Sequence, residues 1–145
     1  MSERYYFAYG SNMNESQMAR RCCSAQKVSS ATIRGWKFHI NSRGVATVIP
    51  EEEGIVYGIL WVLAEEDEQA LDTCEGVQSG FYYKKEFEVQ TDDGRSCAAL
   101  VYVASDSQRG VPRDGYMAGI VEAAMENGFP SWYVEELQEW CAPNA

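Results

Sequence analysis

Histidine is almost missing from this chain of 145 residues, which holds one, His39. A Ser-His-Asp hydrolase built on Ser11 and a Cys-His nucleophile built on Cys74 would both need that single ring, so neither chemistry ranks high. With one His and no His, Cys and carboxylate cluster at metal-ligand spacing, a metal site lacks support, and no cofactor is implied. Cations are scarce as well: 12 Lys and Arg stand against 22 Asp and Glu, a formal net charge of −10. That balance argues against nucleic acid and against anionic membranes, and any site for an anion must be made locally from N–H groups or a few cations. Long apolar runs are absent too. No basic segment followed by an apolar stretch opens the chain, and nothing approaches the ~20 apolar residues of a membrane span, so a cytoplasmic protein is expected. The cysteines, Cys22, Cys23, Cys74, Cys97 and Cys141, form no CxxC pair and are odd in number, which fits free thiols in a reducing compartment.

What is present is a globular composition, 46% hydrophobic, without linker, repeat or low-complexity segment. One domain over residues 1–145 is expected. Strand patterns run from Tyr5 to Tyr9, from Thr32 to Asn41 with a break at Gly35, and from Val45 to Ile49 after a Ser42-Arg43-Gly44 turn. Ile55 to Leu63 is apolar on both faces and reads as a central strand. Phe81 to Gln90 and Arg95 to Ala104 read as a hairpin around Asp92-Asp93-Gly94, with Glu86 and Glu88 on its polar face. Glu51-Glu52-Glu53 reads as a solvated loop before Gly54. Helical patterns cover Glu65 to Cys74, Tyr116 to Met125 and about Ser131 to Trp140, with a short helix through Arg20 and Arg21 capped by Asn14 and Gln17. Helices thus bracket a strand-rich centre.

Two places carry chemistry. Gly10-Ser11-Asn12 follows the first strand and precedes the capped helix, so its backbone N–H groups face one way and suit a carboxylate or phosphate. Gly10 would let a ligand approach the backbone closely. The second place is Glu75. The helix before it carries Glu65, Glu66, Asp67 and Glu68 in its first turn, where the dipole favours them, and Gly76 is the expected left-handed residue after its end. A carboxylate at the C-terminal end is disfavoured, and burial among Phe81, Tyr82 and Tyr83 would raise its pKa further. That is the direction wanted in a general base near neutral pH. Cys74 beside it reads as helix packing, and His39 as an ordinary strand residue.

With both places in view, the chain resembles the γ-glutamylcyclotransferase family nearly end to end. The matching pieces keep their order: Phe7 to Asn12, Gly44 to Ile49, Val56 to Trp61, Leu71-Asp72, Glu75 to Tyr82, Tyr116, Glu126 to Pro130, and Tyr133. Met13 stands where the family often has Leu, and Asn12 points away from a glutathione-directed branch whose turn ends in Ser-Leu. The resemblance implies an α+β fold, a mixed β-barrel-like sheet flanked by short helices. It also implies an enzyme that cyclises a γ-glutamyl derivative to 5-oxoproline with release of the amine. Carried over by position, Glu75 matches the catalytic carboxylate, and Tyr6, Phe7, Ala8, Tyr9, Gly10, Ser11 and Asn12 match the substrate-binding loop. Tyr116 matches a Tyr that contacts substrate, and Tyr82 an aromatic that lines the pocket.

The leaving amine is expected against loop residues after Ala104 and near Phe129. Arg20 and Arg21 either draw in substrate carboxylates or complement a helix dipole, and Arg113 and Lys84 carry the same two readings. Trp132, Tyr133 and Trp140 close the core, line a pocket or serve a subunit contact, for which a homodimer is the natural partner. A relative acting on a different γ-glutamyl-like amide and a silent small-molecule-binding module are the competing readings.

Overall fold

Five strands and four helices follow one another in the computed structural model, which describes residues 4–141. The strands are β1 (Arg4–Ala8), β2 (Gln26–Ile40), β3 (Ala46–Leu63), β4 (Tyr82–Thr91) and β5 (Ser96–Ala104). The helices are α1 (Glu15–Arg21), α2 (Glu65–Cys74), α3 (Tyr116–Glu126) and α4 (Ser131–Glu139), and a 3-10 turn (Ser11–Met13) joins β1 to α1. The sheet closes into a barrel in the order β1-β3-β2-β4-β5, with β5 returning to β1 in parallel through Tyr6 opposite Leu100. Closure removes the free edges that an open sheet of this size would expose. The mixed α+β architecture is the expected one, and β3 is central, paired with β1 on one side and β2 on the other.

Apolar alternation accounts for the interior. Phe7, Ile40, Val56, Ile59, Leu63, Val89, Val101 and Ile120 are all 0% exposed. Tyr57 stacks on Phe129 and Tyr133, with ring centroids 5.5 and 4.9 Å away, which ties α4 to the barrel wall. α3 packs against the 3-10 turn, and its first residue, Tyr116, thereby reaches the loop after β1.

Two strand boundaries differ from the sequence reading. β2 begins at Gln26 rather than Thr32, because backbone pairing with β3 from Gln26–Val62 to Ala31–Gly58 holds a polar, half-exposed segment that has no alternation. Residues 46–63 form one strand, so the acidic run Glu51-Glu52-Glu53 is not a loop. β3 passes from Pro50, opposite Trp36, to Ile55, opposite Arg34, and Glu51–Gly54 bulge against Gly35 with their side chains in water. Among the described residues no helix is long and apolar enough to cross a membrane.

Candidate active site

Glu75 owes its position to the way α2 stops. Leu71, fully buried, anchors the helix, and its last turn closes in a Schellman motif: Gly76 N–H donates to Thr73 O (3.1 Å) and Val77 N–H to Asp72 O (3.0 Å). Gly76 has φ +64°, a conformation that a side chain disfavours, and a Cβ there would lie 2.7 Å from the Phe81 ring. The reversal leaves Glu75 as the capping residue at the barrel mouth. There it lines a narrow cavity of about 40 Å3 together with Tyr6, Tyr9, Gly10, Ser11, Asn12, Ala46, Tyr82, Tyr102 and Tyr116.

Five tyrosines from four places in the chain build that cavity, and their hydroxyls are differently engaged. Tyr9 donates to Tyr102 O (2.6 Å), Tyr82 to Ala46 O (2.6 Å) and Tyr102 to Asp72 Oδ1 (2.7 Å). Tyr116 instead accepts from Ala46 N–H (3.0 Å), and Tyr6 accepts from Asn12 Nδ2 (3.0 Å). Tyr116 and Tyr6 therefore keep a proton that can be donated into the cavity. Burial raises all five phenols, and the Glu75 charge reinforces the rise at Tyr6, Tyr9, Tyr82 and Tyr116, so these groups stay protonated. Burial also lifts the Glu75 carboxyl to about 7, while Arg21 opposes the rise.

The loop after β1 is rigid for a reason beyond its own turn. Met13 N–H donates to Gly10 O (3.0 Å) and Asn14 N–H to Ser11 O (3.2 Å), which leaves the Ser11 and Asn12 amides as the leading N–H groups of the turn. Gly10 has φ −124°, so its lack of a side chain serves space: a Cβ would meet Ala46 Cβ at 3.3 Å. Asn12 is 4% exposed, and its Oδ1 accepts from Gln17 Nε2 (3.1 Å) and Arg21 Nη1 (2.9 Å). Asn12 is thus a brace whose side chain is used within the protein. The expected capping box is half formed: Asn14 Oδ1 accepts from Gln17 N–H (2.8 Å), but the Gln17 side chain has gone to Asn12.

Several expected neighbours lie elsewhere. Phe7 and Ala8 are core residues outside the cavity, because the strand directs the Phe7 ring toward Gly58. Tyr83 is exposed away from the site and Phe81, also exposed, borders only the wider groove outside the cavity; the shell around the Glu75 carboxyl comes from Tyr82, as expected, together with Tyr6, Tyr9, Tyr102 and Tyr116. Cys74 is exposed on the last turn of α2, and Cys22 is the buried thiol, directed toward Asp67 O (3.5 Å). Phe129 packs on Tyr57 away from the cavity, while Arg113, after Ala104, does reach the site. Lys84 is held by Glu68 (2.7 Å) and Asp72 (3.0 Å) and has no part in it. His39 faces Ser107 O (2.9 Å) and Trp140.

Sequence reasoning passed over Tyr102, Ala46 and Arg43. Alternation along β5 is the signal that places Tyr102 on the same face as Leu100, which pairs with Tyr6. Ala46 contributes only its backbone, which composition does not reveal. Outside the cavity a wider groove of about 510 Å3 continues from Glu75, with Arg21, Arg43 and Arg113 among its walls. Among the described residues no three His, Cys, Asp or Glu side chains converge to hold a metal ion.

The arrangement can hold an anion at the loop amides and move a proton at Glu75. Residues 55–137 match the AIG2-like family. The γ-glutamylcyclotransferase of Homo sapiens is 31% identical over 143 residues, covering 92% of this chain and 76% of the relative, and that of Mus musculus is 30% identical over the same shares. A solved γ-glutamyl cyclotransferase superposes with a TM-score of 0.90 at 29% identity, over 99% of this chain and 90% of its own. This chain belongs to the AIG2-like family and is an enzyme of the γ-glutamylcyclotransferase class.

Proposed function

We propose that the enzyme converts a γ-glutamyl amino acid or γ-glutamyl amine to 5-oxoproline and the free amine, with Glu75 as general base and then general acid. The observation that carries this reading is the tyrosine-lined cavity that Glu75, its carboxyl lifted to about 7, shares with Ser11 and Asn12. In a γ-glutamyl amide the α-amino nitrogen reaches the γ-carbonyl of its own molecule, so no protein nucleophile is needed. What the protein must supply is the folded conformer and the proton transfers.

The amides of Ser11 and Asn12 hold the α-carboxylate, which fixes one end of the flexible glutamyl chain. Glu75, ionised, takes a proton from the α-ammonium, and the freed nitrogen attacks the γ-carbonyl carbon. A carbon–nitrogen bond forms and the carbonyl oxygen becomes an oxyanion, toward which Tyr116 donates its uncommitted proton in a hydrogen bond. Glu75 then returns its proton to the amide nitrogen as the old carbon–nitrogen bond breaks, takes the second proton from the positively charged ring nitrogen, and passes it to the departing amine. In the net reaction two protons pass from the α-nitrogen to the departing amine, and no co-reactant is required.

Incubating the protein with γ-glutamyl amino acids, γ-glutamyl-ε-lysine and glutathione, and measuring 5-oxoproline by mass spectrometry, tests the reading. Product is expected from at least one of the first two classes, and its absence from all members with folded protein would move the reading to another acyl amide. Tyr116→Phe is expected to lower kcat by roughly 10²-fold, the loss seen when one oxyanion donor is removed, with a smaller change in KM. Full turnover in a folded Tyr116→Phe protein would rule out the hydroxyl donor.

A further inference from the structure

We propose that Arg43 and Arg113 form a carboxylate clamp that selects leaving amines bearing an anionic group over neutral ones. The proposal rests on the cyclotransferase reading and narrows its substrate class. The outer groove shares Ser11, Glu75, Tyr82 and Tyr116 with the inner cavity, so a ligand whose glutamyl end lies inside must send its leaving group outward along the groove. Arg43 and Arg113 stand on the walls of that exit.

The two arginines are fixed to each other through the backbone. Arg113 Nε donates to Arg43 O (2.9 Å), and Arg113 N–H donates to Gly44 O (3.1 Å). The turn that carries Arg43 is itself pinned by Asn41, 0% exposed, whose Oδ1 accepts from Arg43 N–H (3.0 Å) and Val45 N–H (3.3 Å). The Arg43 guanidinium lies over the Phe81 ring, 3.9 Å from its centre, and among the described residues it donates no hydrogen bond. Among the described residues neither guanidinium makes an ion pair, although acidic groups outnumber basic ones. Asp106 is the acidic group near Arg43, and its carboxylate is taken by Ser42 Oγ and Gln108 N–H.

In so acidic a protein an anionic substrate gains nothing from the long-range field, and local cations must overcome it. A guanidinium binds a planar carboxylate in two places, which a lysine would match only as a point charge; Arg43 can offer its whole fork, and Arg113, its Nε held by Arg43 O, its terminal N–H groups. A neutral leaving amine leaves both forks to water.

The test compares γ-glutamyl-alanine with γ-glutamyl-alaninamide, which differ in the leaving-group carboxylate alone, by the ratio of kcat/KM for 5-oxoproline release. The wild type is expected to prefer the acid by about 10- to 100-fold, the scale of hydrogen bonds to a charged partner. Arg43→Gln keeps the carbonyl that Arg113 uses, so the turn survives; it should cut the ratio several-fold, and Arg43→Gln with Arg113→Gln should bring it close to one. Arg43→Lys should fall between wild type and Arg43→Gln. A wild-type ratio near one, or a ratio that the double variant leaves unchanged, overturns the clamp while the cyclotransferase reading stands. Product from neither substrate overturns both.

Discussion

Glu75→Gln is expected to lower 5-oxoproline formation by roughly 10²- to 10⁴-fold while the protein keeps its fold, the range for removal of a positioned general base. Gln has nearly the shape of Glu and can still cap α2, so the Schellman turn at Gly76 and the tyrosine shell persist. What is lost is the group that accepts the α-ammonium proton. The same substitution has a second, opposite consequence for stability. An unfolded Glu ionises near its ordinary value of 4.5, whereas the native carboxyl holds its proton to about 7. Between those values the unfolded state releases a proton that the native state keeps, so stability falls as pH rises through the window and stays lowered above it. Gln lacks this penalty. Allowing for the partial exposure of the residue, Glu75→Gln should be more stable at high pH by about 1–2 kcal/mol. At roughly pH 8 that is a gain of about 3–6 °C in Tm, and near roughly pH 4 the gain vanishes. An active enzyme after the exchange, or a variant that is less stable at high pH, would contradict the assignment. Circular dichroism melts beside the turnover assay read both effects.

Gly58→Ala is expected to destabilise the protein by about 3 kcal/mol, toward the upper end of ordinary overpacking, and to lower Tm by roughly 6–12 °C. An added Cβ would lie 2.4 Å from Ala8 O and 2.7 Å from Phe7 Cζ. Neither neighbour can yield easily, because one is backbone in the β1–β3 ladder and the other is a ring with 0% exposure. Gly58 pairs with Ala31 on its other side, so β3 is held from both directions. Ala8, whose carbonyl is struck, is the last residue of β1 and leads through Tyr9 into Gly10 and Ser11. Residual folded protein should therefore also lose kcat/KM, through a displaced loop. A thermal unfolding midpoint equal to that of the wild type would show that the barrel wall is looser here than the contacts imply.

The sequence made α2 legible down to its last turn, because acidic residues, a fully apolar anchor and a C-terminal glycine all obey local rules. The β4–β5 hairpin was legible for the same reason, and the central place of β3 followed from its two apolar faces. The Gly35 break inside the Thr32–Asn41 strand was legible and falls at the register shift between Arg34 and Trp36, but the bulge opposite was not: Glu51–Gly54 looks like a loop, yet the backbone ladder continues beside it and only the partner strand reveals it. The loop and Glu75 line one cavity, but their surroundings were drawn from sequence neighbours: Tyr82 lines that cavity, Phe81 reaches only the outer groove beside Glu75, and Tyr83 is turned to solvent. The real shell comes from β1, the start of β4, β5 and the start of α3, brought together by barrel closure. Phe7 and Ala8 fell inside the motif by adjacency, although the strand carries their side chains into the core. Cys74 was expected to pack, but the last turn of α2 presents it to water.

The measurement that bears most directly on the central claim is the rate of 5-oxoproline release from a γ-glutamyl amino acid by the wild-type enzyme, followed as kcat/KM from about pH 5 to about pH 9. A base must be ionised to act, so kcat/KM should rise tenfold per pH unit on the acid side and bend near 7, where the buried Glu75 carboxyl loses its proton. Glu75→Gln should show no such bend in its residual rate. A wild-type profile that is flat through 7, or the same bend surviving in Glu75→Gln, would contradict the account.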